Sequence, residues 1–79
     1  MRDQVLEILE GIRDDVDFEN EKALVSKNVL ESFDIIRLIS SLSETFDIEI
    51  SAKEITAVNF DSLDAITALV EKIAEEDEE

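Results

Sequence analysis

Apolar residues recur along this chain at helical rather than strand spacing. Val5, Leu9, Ile12 and Val16 fall at i, i+4, i+7 and i+11, with Leu6 and Ile8 widening the stripe. This pattern predicts a first helix from roughly Arg2 to Asp14. Gly11 lies inside it and costs about 1 kcal/mol against alanine. Ile35, Ile39, Leu42 and Phe46 form a second stripe, broadened by Leu38 and Ile36, on a helix from roughly Ser32 to Phe46. Asp34, Arg37, Ser41 and Glu44 occupy the opposite face of that helix. Leu63, Ile66, Val70 and Ile73 predict a last helix from roughly Ser62 to Ala74. Between the last two helices, Ser51-Ala52-Lys53-Glu54 reads as a short helical turn, with Ser51 as its cap and Ile55 and Val58 turned inward.

The stretches between these elements are polar. Val16 to Leu30 is a long connection, and Phe18 and Leu24 are the residues expected to pin it to the core. Asp61 is expected to cap the last helix, with Asp64 three residues on as its capping-box partner. Glu75 to Glu79 is a like-charge run expected to fray. Residues 1–79 form one domain. The fold class is all-α: a small acidic helical bundle of three main helices plus one short helix, with a long loop between the first and second helices. Short later connections favour antiparallel neighbours.

Charge narrows the function. Seven basic side chains stand against 22 acidic ones, for a net charge of −15. Phosphate backbones and anionic membranes are repelled by such a surface. Partners are expected to be proteins with basic patches, met by a monomer. No run approaches the ~20 apolar residues needed to span a bilayer, and Met1-Arg2-Asp3-Gln4 does not open a signal peptide. Cytoplasmic residence is the default expectation. Cysteine and histidine are both absent. That removes disulfides, thiolate and imidazole metal ligands, and the usual general base, so the chain is not expected to be an enzyme or to bind metal.

Two similar tetrapeptides carry hydroxyls at predicted helix starts: Glu31-Ser32-Phe33-Asp34 and Asp61-Ser62-Leu63-Asp64. A serine or acid at such a position can accept an orphan backbone N–H. That explanation suits Asp61-Ser62. At Ser32 it competes with a second one, because glutamate is a poor N-cap and the helix is the central one. The Ser32 hydroxyl is either an ordinary helix-start group or a point of covalent attachment.

Val29-Leu30-Glu31-Ser32-Phe33-Asp34-Ile35-Ile36-Arg37-Leu38, followed by Phe46-Asp47-Ile48-Glu49-Ile50, resembles the acyl carrier protein family. The stretch from Ser51-Ala52-Lys53-Glu54-Ile55 to Asn59-Phe60-Asp61-Ser62 is most similar to D-alanyl carrier proteins. The resemblance implies that Ser32 carries 4′-phosphopantetheine, taken from coenzyme A by a phosphopantetheinyl transferase. An adenylating acyl or aminoacyl ligase would load the arm's thiol, and downstream acyl-transfer enzymes would receive the thioester. Glu31, Phe33, Asp34, Arg37, Glu44, Asp47 and Glu49 would then form the partner-binding surface. Three positions depart from the family pattern: Glu31 replaces aspartate, Asn28 stands near a usual glycine, and Arg37 replaces a usual glutamate. Arg37 either pairs with Asp34 at i, i−3 or sorts partners by charge. Phe18, Phe33, Phe46 and Phe60 could fill the interior, which favours small cargo over a fatty chain. The alternative to a carrier is an unmodified acidic helical adaptor or decoy for a basic protein.

Overall fold

Four α-helices and one 3-10 turn organise the computed structural model, which describes residues 1–77. They are α1 (Arg2–Ile12), α2 (Ser32–Phe46), the 3-10 turn Ala52–Glu54, α3 (Ala57–Phe60) and α4 (Leu63–Asp77). No strand occurs among the described residues, and the architecture is the small all-α bundle the periodicity predicts. α1 packs on α2 and α4, and α3 packs on α4. Each long helix contributes its apolar stripe to one core: Val5 and Leu9; Leu38 and Leu42; Leu63, Ile66, Val70 and Ile73. Burying such side chains contributes roughly 1.5–3 kcal/mol each, against a large loss of chain entropy.

Two apolar expectations fail for the same geometric reason. Ile36 lies two residues from Leu38, about 200° around the helix, and is 64% exposed. Val58 is likewise two residues from Phe60. α3 is only four residues long, so it buries Phe60 against α4 and leaves Val58 82% exposed. Ile55 is exposed in the link before α3. Thr56, not an earlier residue, starts α3: its Oγ1 accepts from the Asn59 N–H. Ser51 does precede the 3-10 turn, and its hydroxyl donates to Glu54.

The long first loop is held from the far end of the chain. Phe18 and Leu24 are both buried in the core, as their spacing suggests. The expected cap of α4 is corrected here. Asp61 ends α3 with helical dihedrals (φ −75, ψ −17), so it lacks the extended backbone of an N-cap. Ser62 does that work instead, its Oγ accepting from the Ala65 N–H at 3.1 Å. Asp61 turns to the loop. Its carboxylate accepts from the Val25 N–H at 2.9 Å, the Ser26 N–H at 2.8 Å and the Ser26 hydroxyl at 2.6 Å. Its carbonyl accepts from the Leu24 N–H at 2.9 Å. Asp64 pairs with Arg2 and Lys22 rather than closing a capping box.

The bonds from Ser26, then that from Val25, hold the Asp61 carboxyl below its ordinary range. A carboxylate with a depressed native pKa contributes stability that is present above its unfolded value, near 4, and lost as pH falls through the native value. Asp61→Asn should therefore lower the melting temperature by several degrees at pH 7. The gap to the parent should narrow below about pH 4. A constant gap from pH 7 to pH 2, or none at pH 7, would show that the charge on Asp61 does not hold the loop.

α2 ends at Asp47, which adopts the left-handed conformation (φ 52, ψ 51). Left-handed backbone costs a side-chain-bearing residue roughly 1–2 kcal/mol, somewhat less for aspartate. A negative charge also sits poorly at a helix C-terminus. Asp47→Gly should raise the melting temperature by about 4–8 °C, the shift expected for roughly 1 kcal/mol in a domain this small. α4 runs on through Glu75 and Glu76 to Asp77, and residues 78–79 of the acidic tail lie outside the described residues.

Candidate functional site

The start of α2 is built by three local devices. Asn28 turns the chain at φ 58, a left-handed conformation that asparagine accepts more readily than most residues. Leu30 then enters the core, and its N–H donates to the Leu24 carbonyl at 2.8 Å. Glu31 follows in extended conformation (φ −85, ψ 168), and the helix begins at Ser32. One turn in, the Asp34 carboxylate accepts from the Glu31 N–H at 3.2 Å, serving one of the donors that the helix leaves open. An acid in the first turn also suits the positive end of the helix dipole.

Arg13, just past α1, locks this arrangement. Its Nη1 donates to the Val29 carbonyl at 3.1 Å and to Asp34 Oδ2 at 3.4 Å. Its Nε and Nη2 donate to Asp15 at 3.1 and 3.0 Å. Hydrogen bonding to Asp15, and secondarily to Asp34, raises the guanidinium's pKa further and holds the Asp15 carboxyl below its ordinary range. Asp34 is 8% exposed. It is therefore corrected from a docking residue to an internal one. Its position on the helix, about 200° from Ser32, carries it away from the solvent face.

Ser32 is left exposed with a free hydroxyl. Among the described residues its Oγ makes no hydrogen bond, and the cap interactions of α2 bypass it. Ser40, Ser41 and Ser43 farther along α2 likewise make no side-chain hydrogen bond among the described residues, so the contrast is with the serines at the other element starts and in the first loop. Ser62 Oγ caps α4, Ser26 Oγ is bound to Asp61, and Ser51 Oγ is bound to Glu54. The two look-alike tetrapeptides thus part company: one serine is a cap and the other is not.

The remaining predicted docking residues scatter. Glu31, Phe33, Arg37, Glu44, Asp47 and Glu49 are all exposed. Phe33 is 67% exposed and fills no interior space, which is left to Phe18, Phe60 and the half-buried Phe46. Arg37 forms no ion pair with Asp34, whose cation is Arg13. Ser32, Phe33, Ile36, Arg37, Ser40 and Glu44 share the outward face of α2. Asp47 and Glu49 lie past its far end, roughly 22 Å from Ser32 along a helix of this length. Arg13 and Ile36 were not singled out as site residues. A cation at the end of a helix was the signal for Arg13, but nothing local connects it to an acid 21 positions on. No cluster of three or more metal-ligating side chains occurs among the described residues. Searches of protein-family models and of curated proteins found no match to the chain.

Proposed function

We propose that the chain is an acyl or aminoacyl carrier, with Ser32 as the attachment point of a 4′-phosphopantetheine arm. The observation that carries this reading is the unengaged, exposed hydroxyl of Ser32 on a helix start whose capping is handled by other groups. Ser26, Ser51 and Ser62 use their hydroxyls to hold a loop or a turn, and Ser40, Ser41 and Ser43 lie inside α2, so Ser32 combines a free hydroxyl with a helix start. The helix N-terminus beside it would also favour the negative charge of a phosphodiester.

The modification is a phosphoryl transfer. Ser32 Oγ attacks the phosphorus that bears the pantetheine in coenzyme A. A serine-O–P bond forms, the pyrophosphate P–O bond breaks, and adenosine 3′,5′-bisphosphate leaves. The hydroxyl proton passes to a base on the transferase. The arm supplies the thiol this cysteine-free chain lacks. A carboxylic or amino acid activated as its adenylate is then attacked by that thiol, giving a thioester and releasing AMP. Tethering raises the effective concentration of the cargo at successive active sites. D-alanine or another small acid is the proposed cargo, since Phe18 and Phe60 occupy the interior.

Incubation with coenzyme A and a broad-specificity transferase, followed by intact mass, tests the reading. A gain of one phosphopantetheine is expected. A chain that stays bare while a control carrier is modified would leave the adaptor alternative standing.

A further inference from the structure

The outward face of α2 just past Ser32 is poor in acids for so acidic a chain. From Ser32 to Ser43 the one carboxylate is Asp34, and it is turned inward onto Arg13. What remains outward is two large apolar side chains, Phe33 and Ile36, one cation, Arg37, and uncharged hydroxyls. Arg37 makes no ion pair among the described residues. Glu7 and Glu44 line the shallow groove between α1 and α2 beside it, but neither binds it. Arg2 and Arg13, by contrast, are both tied to carboxylates.

An exposed apolar pair next to an unpaired guanidinium is a recognition pattern, since such patches bind complementary surfaces. We infer that the enzyme acting on Ser32 docks on this face through an apolar recess for Phe33 and Ile36 and a carboxylate that pairs with Arg37. Arg37 is then a specificity-determining residue. It admits an enzyme with an acid at that point and penalises one with a basic residue there. The remaining acids, Glu31, Glu44, Asp47 and Glu49, steer the approach from the rim. This inference rests on the carrier reading and adds the partner's chemistry to it.

The experiment compares wild type, R37E and K72E as substrates of a broad-specificity transferase whose docking cleft is basic. Lys72 is exposed on α4, so K72E changes the net charge by the same amount away from Ser32. Helical spectra confirm that each variant folds. At low salt R37E should be modified on the order of tenfold faster than wild type, with the gain fading as salt is added. K72E should stay near wild type. A charge-reversed transferase, with one cleft Lys or Arg changed to Glu, should reverse the preference in favour of wild type. Equal rates for R37E and K72E would overturn the inference while leaving the carrier reading intact. Modification of none of the three would remove both. A concentration-dependent dimer that R37E dissolves would assign the face to a second copy and also overturn it.

Discussion

Ser32→Ala should end phosphopantetheine transfer altogether while leaving the melting temperature and helical spectrum close to those of the parent. Two features make the separation clean. The Ser32 hydroxyl has no hydrogen-bond partner among the described residues, so its removal strands no buried group. Ser32 is also inside the helix rather than at its cap, where alanine is the better helix former. The stability change should lie within about 0.5 kcal/mol. Ser62→Ala is the informative companion. It removes a true cap, so it should cost roughly 1 kcal/mol and leave modification in place. The assignment of Ser32 fails if the Ser32 variant still gains the mass of one arm. It fails equally if the Ser62 variant loses that gain while remaining folded.

Leu24→Ala should bring the chain close to unfolding at physiological temperature. Leu24 is fully buried although it lies in a loop, and its N–H and carbonyl bond Asp61 and Leu30 respectively. Truncating a buried leucine typically costs 2–5 kcal/mol. A chain of 79 residues holds about 4–12 kcal/mol in all. The loss is thus a large share of the total, and it is centred on the segment that delivers the start of α2. Val58→Ala, in α3, is the control, since a side chain 82% exposed should change stability by less than about 0.5 kcal/mol. Urea midpoints of the two variants decide it. Equal midpoints would mean that the loop is not part of the cooperative fold.

Periodicity alone found α2 to its last residue and α4 to within a turn or so, because each carries a long stripe that only one face can bury. It also found Phe18 and Leu24, since apolar residues in a polar loop have few other places to go. It could not find α3, which is too short to have a period. Periodicity misjudged Ile36 because an apolar residue beside a core stripe looks internal until the helix is docked. Phe33 was miscounted as a core filler for the same reason. The acids were the least legible. Whether Asp61 caps its own helix or grips a loop depends on what the fold brings beside it, and the loop amides it holds are 35 and 36 positions away. Asp34 posed the same choice, and an arginine 21 positions earlier decided it. The loop and the start of α2 that carry Ser32 are held by these two remote contacts, so the serine could be proposed from its neighbours but its freedom could not.

The clasp between Asp61 and residues 24–26 also bears on how the molecule is born. A chain emerging from the ribosome exposes Leu24 to Ser26 long before Asp61 is polymerised, and until then the loop amides have only water. Closure over such a separation carries an entropic toll and slows collapse relative to a bundle with purely neighbouring contacts. The clasp is therefore among the later contacts open to a growing chain. A nascent chain stalled before Asp61 lacks the carboxylate that holds the amides of Val25 and Ser26.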